Sequence, residues 1–248
     1  LEERYPHIQF SQFMGAEMIA KKYDQTKDQL DEFAYDSHQK AIAATKSGAF
    51  KDEIVPLEVT LPDGKKEMHI VDEGIRFDAS LEGIKGVKLL QEGGRVTAAT
   101  SSQICDGASG VLVVNERGLK ALGVKPLARI VHMTVIGHDP VIMLEAPIPA
   151  TLRALKKADM KIDDIDLYEV NEAFAPVPVA WLRETGGDPA KLNVNGGAIA
   201  LGHPLGGSGT KLMATLVHAL HARKKKYGLQ TMCEGGGLAN VTIIEALH

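Results

Sequence analysis

What most constrains the fold of this chain is a change of texture near residue 104. From there to the C-terminus, apolar runs of strand length alternate with amphipathic runs of helix length. "DGASGVLVVNERGLKALG" reads as a buried strand and then a helix, "LARIVHMTVIG" as a strand, "PIPATLRALKKADM" as a helix with proline near its start, and "IDLYEV" as a short strand. "AFAPVPVAWLRETGG" predicts a helix whose first turn is made irregular by Pro176 and Pro178. In "TKLMATLVHALHAR" the residues Leu212, Met213, Leu216, Val217 and Leu220 fall on one helical face. "LQTMC" and "NVTIIEAL" follow as two last strands. Strands alternating with helices predict an α/β layered domain.

The upstream part reads differently. Residues 14–50 predict two helices. The second opens on Thr26 and Gln29, a pattern in which two side chains satisfy the first free N–H groups, and Gly48 closes it. Leu30, Phe33, Ala34 and Ala41 recur within it at helical spacing. "VPLEVTL", the turn "PDG" and "MHIV" form a hairpin. Residues 73–95 are glycine-rich with weak periodicity and read mostly as loop.

Bulk properties exclude several function classes. Hydrophobic residues make up 44% of the 248, enough for a substantial core, and no apolar run approaches the roughly 20 residues of a membrane span. A formal charge of −4 argues against a nucleic-acid binder, which carries a basic face. The one basic run, "RKKKYG", suits the solvated end of a helix. Two cysteines, Cys105 and Cys233, do not make a secreted disulfide framework and point to a reducing compartment. The first residue is Leu1 rather than Met, and "LEERYPHIQF" has neither a signal-peptide nor a transit-peptide composition, so the sequence is expected to be part of a larger product.

Three polar or glycine-rich segments interrupt the strand–helix alternation: "NEAFA" at 171–175, "GGAIALGHPLGGSG" at 196–209 and "CEGGG" at 233–237. Ligand sites in open α/β sheets gather beyond the carboxyl ends of strands, so the three are expected to converge. Gly202 and Pro204 hold His203 on a constrained turn, and the glycines after it let backbone approach a ligand. A Walker loop needs Lys directly after its last glycine, whereas Gly209 is followed by Thr210; G-x-G-x-x-G is absent too. Bare N–H groups beside the Cys233 thiol suit an oxyanion, and a thiol serves as nucleophile or as acid and base once its pKa is tuned. Taken singly, each residue has a plainer reading: Asn171 as a helix N-cap, His203 as a turn histidine, Cys233 as a buried thiol beside a glycine turn. His218 and His221 lack any metal-site partner pattern, His132 and His138 lack an obvious partner, and Cys105 reads as a packed thiol.

Together the three segments, in this order and spacing, resemble the thiolase family; "FKDEIVPLEV" and "GRVTAATSSQICDGASGVLV" add to the resemblance, which spans residues 10–248. It implies a thiolase-like layered fold, with a mixed sheet flanked by helices and an irregular loop domain of helices and a hairpin. Residues 1–103 would be the loop domain, 104–125 a strand–helix segment of an otherwise largely absent N-terminal domain, and 126–248 the C-terminal domain. It also implies a coenzyme A-dependent acyltransferase that cleaves 3-oxoacyl-CoA or runs the reverse condensation. No cofactor would be bound permanently; coenzyme A or acyl-CoA is the substrate.

By resemblance, His203 helps activate the nucleophile and binds the thioester oxygen, Asn171 holds a water in the same oxyanion site, and Cys233 is the acid and base. Gly235 lends an N–H to a second oxyanion site. Ser102 and Ala98 fall in the stretch that contacts CoA, and Ala173 and Phe174 line the acyl pocket. The family's acylated cysteine has no counterpart here and is expected upstream of Leu1, so these residues alone are expected to be inactive. Glu234 and Ala239 depart from common family residues, and "HIQFSQFMGAE" lacks the His-Met pairing of short-chain biosynthetic members, which leans towards a degradative enzyme with a longer or bulkier acyl group. A homodimer or homotetramer without nucleic acid or membrane span is implied, in the cytoplasm or, in a eukaryote, a mitochondrion or peroxisome. The missing nucleophile keeps a second reading open: a non-catalytic acyl-CoA or lipid-binding relative.

Overall fold

A computed structural model describes residues 3–248. Helix α1 (Gln12–Lys22) starts at Ser11, whose side chain accepts from the Met14 N–H. Helix α2 (Lys27–Ser47) carries both halves of the Thr26–Gln29 capping box and stops at Gly48, where φ of 74° puts the backbone in the left-handed region that favours glycine. The hairpin pairs β1 (Leu57–Thr60) with β2 (Lys66–His69), antiparallel. Within the stretch expected to be loop lies a short helix, α3 (Leu81–Lys85), capped by Ser80. Five residues are too few for periodicity to show it.

The C-terminal half begins with α4 (Glu116–Leu122) and β3 (Ala128–Gly137), then α5 (Pro147–Ala158), β4 (Leu167–Val170) and α6 (Pro176–Thr185). A four-residue helix, α7 (Ala198–Leu201), precedes α8 (Ser208–Ala222), and β5 (Tyr227–Glu234) and β6 (Leu238–Ala246) complete the chain. The four long strands form one mixed sheet in the order β3-β6-β5-β4, with β4 parallel to β5 and the other pairs antiparallel. Side chains alternate across it. Leu229, Cys233, Val241 and Ile243 enter the main core with α5 and α6, whereas Leu167, Ile244 and Ala246 pack beneath Leu216 and Leu220 of α8. The sheet therefore lies between helices on both faces, as the alternation predicted.

The same main core holds Ile19 of α1 and Leu30 of α2. Its largest member is Trp181, fully buried, with its ring against Tyr168 and its Nε1–H donated to Thr151 Oγ1 at 2.9 Å. Burying an aromatic of this size contributes about 2–3 kcal/mol only if that polar atom finds a partner, which it does. Among the described residues no helix is long and apolar enough to cross a membrane.

One expectation fails. The apolar run 110–114 is not a buried strand: it pairs with nothing among the described residues, and Leu112 and Val113 are 74% and 68% exposed. Strand propensity supplies side chains that fit a sheet but no ladder, and the sheet described here ends at β3.

Candidate functional site

The site grows from the exits of two parallel neighbours. Val170 pairs with Thr231, and the Asn171 N–H extends the ladder by one bond, to Thr231 O at 3.0 Å. Asn171 thus stands just past the end of β4, and Cys233 lies two residues beyond Thr231 near the end of β5. Parallel pairing puts both at the carboxyl edge of the sheet, where α/β folds place ligands.

His203 reaches this edge from a different part of the chain. After α7 the backbone turns at Gly202, whose φ is 86° and where a Cβ would fall 2.5 Å from Cys105 Sγ. The turn is held by the His203 N–H, which donates to Gln103 O at 3.1 Å. The imidazole then spans two groups: Nδ1 lies 2.5 Å from Ser208 Oγ, and Nε2 lies 3.4 Å from Asn171 Nδ2. The Ser208 hydroxyl donates to Pro204 O at 2.8 Å, so its single proton is committed and it must accept from Nδ1–H. The neutral ring therefore carries its proton on Nδ1. Its Nε2 lone pair faces the Asn171 amide.

Environment tunes each group. Burial lowers the His203 pKa and favours the neutral, proton-accepting ring. Burial, with a smaller contribution from the Glu234 charge, pushes the Cys233 thiol up to about 12, so at neutral pH it holds its proton and is poised to donate it. Asn171 is 1% exposed and its Oδ1 has no hydrogen-bond partner among the described residues, which leaves a buried acceptor open to a substrate or a water.

The other predicted residues fall as follows. Gly235 is exposed on the turn between β5 and β6, next to Gly236 and Gly237, which take positive φ; a Cβ on Gly237 would meet Asp139 O at 2.7 Å. Ser102 is half-buried and its N–H donates to Ala173 O at 2.9 Å, while the Ala175 N–H donates to Thr100 O. The stretch from Ala98, which is exposed, to Ser102 is thereby stitched along 173–175. Ala173 and Phe174 are buried, with Phe174 edge-on to Phe13 at 5.3 Å between ring centroids. Pro204, Gly206 and Gly207 face residues 105–109 across an open depression of about 390 Å³.

Asn171 and His203 meet at the carboxyl edge of the sheet, where β5 also ends near Cys233, and no hydrogen bond links Cys233 to the other two among the described residues. The sequence reading missed Ser208, because the effect of its hydroxyl depends on where Pro204 O points. It also misjudged Cys105, which is exposed rather than packed: residues 103–114 run over the surface without strand pairing.

An imidazole on a glycine turn, a buried amide and a buried thiol thus stand at the carboxyl edge of an α/β sheet, and groups of these kinds can exchange protons with a ligand. Comparison with known proteins narrows this. Residues 7–117 match the family model "Thiolase, N-terminal domain" and residues 124–246 match "Thiolase, C-terminal domain". The chain belongs to the thiolase family.

The first match corrects the expectation that the N-terminal domain is largely absent: most of the upstream half matches that domain's model. The loop-like texture of residues 73–95 concealed this, since it lacks the strand–helix alternation of a layered domain. A steroid 3-ketoacyl-CoA thiolase of Mycobacterium tuberculosis is 52% identical over 98% of this chain and 58% of its own length. A 3-ketoacyl-CoA thiolase of Bacillus subtilis is 41% identical over 99% of this chain and 65% of its own. The crystal structure of human mitochondrial 3-ketoacyl-CoA thiolase superposes with a TM-score of 0.88 at 43% identity, covering 94% of this chain and 59% of that one. The chain thus spans about three-fifths of the length of these relatives.

Proposed function

We propose that this chain supplies the acid–base and oxyanion groups of a thiolase that cleaves a 3-oxoacyl-CoA with coenzyme A to acetyl-CoA and a shortened acyl-CoA, or runs the reverse Claisen condensation. The observation that carries the reading is the Asn171–His203 contact at the same sheet edge as the high-pKa Cys233 thiol. The acyl-accepting thiol is supplied by sequence outside these residues, because neither cysteine here matches it. The names of the relatives and a crystal structure titled as the human enzyme in complex with CoA support a CoA thioester as substrate, with no permanently bound cofactor.

In this scheme His203 Nε2 takes the proton of the nucleophilic thiol, and the thiolate attacks the 3-oxo carbonyl carbon. The C2–C3 bond breaks, and the electron pair moves into the thioester enolate of acetyl-CoA. Nε2–H and a water held by Asn171 donate to that enolate oxygen, and the Cys233 thiol delivers its proton to the enolate carbon. The resulting Cys233 thiolate accepts the proton of incoming coenzyme A, whose sulfur attacks the acyl-enzyme; the nucleophilic thiolate is expelled and takes back its proton from His203 Nε2. The Gly235 N–H donates to the tetrahedral oxyanion of the acyl-transfer steps.

Ser102 and Ala98 lie along the CoA arm, and Ala173 and Phe174 bound the acyl group. A bulky or long acyl group is favoured, in keeping with the steroid thiolase among the relatives. Residues 126–248, the C-terminal domain of this reading, carry the three reacting groups. A homodimer or homotetramer in a reducing compartment, cytoplasmic or the interior of a mitochondrion or peroxisome, completes the proposal.

The test is CoA-dependent conversion of 3-oxoacyl-CoA by the intact protein, followed by mass spectrometry of the acyl-CoA products. His203→Ala and Cys233→Ser are each expected to lower kcat by about 10²–10⁴-fold. Wild-type rates in either variant would refute the assigned roles. Acyl-CoA binding without turnover by the intact protein would favour the non-catalytic binding reading instead.

A further inference from the structure

The "NEAFA" stretch contains a carboxylate for which the proposed chemistry has no task. Glu172 is 1% exposed, and three donors from three parts of the chain converge on it. Ser37 of α2 donates its hydroxyl to Oε2 at 2.7 Å, the Ile199 N–H of α7 donates to Oε2 at 3.2 Å, and Asn193 Nδ2–H donates to Oε1 at 2.8 Å. The Ile199 and Asn193 donors cannot be reversed. Ser37 Oγ already accepts the Gly197 N–H at 3.1 Å, so its own proton is left for Glu172. Asn193 is fixed in orientation because its Oδ1 accepts the Val170 N–H and its Nδ2 donates to Val170 O, both at 2.9 Å. The site thus requires a group that only accepts.

We infer that Glu172 is a positioning residue that sets the separation of Asn171 and His203. Its backbone continues directly from Asn171 at the exit of β4. Its carboxylate grips α7 at Ile199, four residues before His203. His203 Nε2 meets Asn171 Nδ2 and closes the ring. Covalent bonds and two hydrogen bonds therefore join the amide and the imidazole through one buried side chain. The packing is close enough to exclude any side chain at Gly197, where a Cβ would lie 2.5 Å from Glu172 Oε2. Burial raises the Glu172 pKa while the three donors pull it down, so the geometry of the donors decides how well the charge is held. The inference rests on the acyl-transfer reading for its kinetic consequence but not for its geometric one.

The test is Glu172→Gln in the intact protein. An amide in place of the carboxylate turns one donor–acceptor contact into a donor–donor contact whichever way it flips. The expected result is a tenfold or larger fall in kcat with KM for the acyl-CoA within twofold of wild type. The 15N shift of His203 Nε2 should move in the same direction as in Asn171→Ala, because Asn171→Ala removes the amide that Nε2 accepts from and Glu172→Gln displaces it. Thr151→Val serves as a control: it loses the Trp181 hydrogen bond in the same core without touching the ring, and it should leave the Nε2 shift in place. Should Glu172→Gln fail to fold, Ser37→Ala removes one of the three donors, together with the acceptor of the Gly197 N–H, and should move Nε2 the same way by less.

An unchanged Nε2 shift in the Glu172 and Ser37 variants would overturn the inference. So would an equal shift in Thr151→Val. If the wild-type protein cleaves no 3-oxoacyl-CoA, the proposed function fails, and the Nε2 shifts still decide the role of Glu172.

Discussion

Replacing Gly197 by alanine tests how firmly the Glu172 carboxylate is held. The backbone at Gly197 is extended, with φ of −137° and ψ of −162°, so alanine meets no conformational strain there. The whole effect comes from the new methyl group, which would sit 2.5 Å from Glu172 Oε2 and closer to the rest of the carboxylate. To restore van der Waals contact the carboxylate must retreat by about 1 Å, which stretches its bonds to Ser37, Asn193 and Ile199. Overpacking costs about 1–3 kcal/mol, and weakening one charge-assisted bond to a buried carboxylate costs about 1.5–3 kcal/mol, so a loss of about 4 kcal/mol is expected.

Gly186 is the comparison. It caps α6 with φ of 71°, and a Cβ there would meet nothing within 4 Å. Gly186→Ala should cost only the left-handed strain, about 1–2 kcal/mol. Equilibrium urea unfolding of the intact protein, followed by ellipticity, measures both. The expected ranking reverses the usual one, in which the glycine at positive φ is the sensitive one. A Gly197→Ala protein within about 0.5 kcal/mol of wild type would show that the carboxylate yields freely, and the reasoning would fail.

Two further outcomes follow from other groups. Iodoacetamide near neutral pH should label the exposed Cys105 and spare Cys233, whose thiol is buried and pushed up to about 12; peptide mass mapping that finds equal labelling would contradict this. Burial pushes the Glu53 carboxyl up to about 7, with Thr215 donating to one oxygen and the other oxygen unpartnered. The folded form therefore binds this proton more tightly than the unfolded form does. Its stabilising contribution is complete below the ordinary carboxylate range and is lost as pH rises through 7. Glu53→Gln should flatten the fall in unfolding free energy over that window, and an unchanged slope would locate the titration elsewhere.

Legibility in the sequence followed the range of the interactions involved. Thr26, Gln29 and Gly48 announced α2 because caps are local chemistry. The alternation after residue 104 announced the layered sheet because periodicity is local too. The run at 110–114 misled because an apolar strand is completed only by a neighbour, and no local pattern says whether one is present. Asn171, His203 and Cys233 are singled out only by family resemblance, since each has an ordinary explanation when taken singly. Glu172 sat in the same quoted motif and went unread: its donors come from positions 37, 193 and 199, and only the fold brings them together. The tautomer of His203 escaped for the same reason, since it depends on a carbonyl that accepts from Ser208.

The pairing of β4 with β5 carries one more consequence. Thr231 and Cys233 point to the same side of the sheet, and Gln230 and Met232 to the other. Deleting a single residue between positions 227 and 232 would keep the hydrophobic count nearly intact yet carry the thiol out of the main core and through to the α8 side of the sheet. Length changes there should thus silence proton transfer well before they prevent the chain from folding, and insertions or deletions within β5 should be far less tolerated than substitutions.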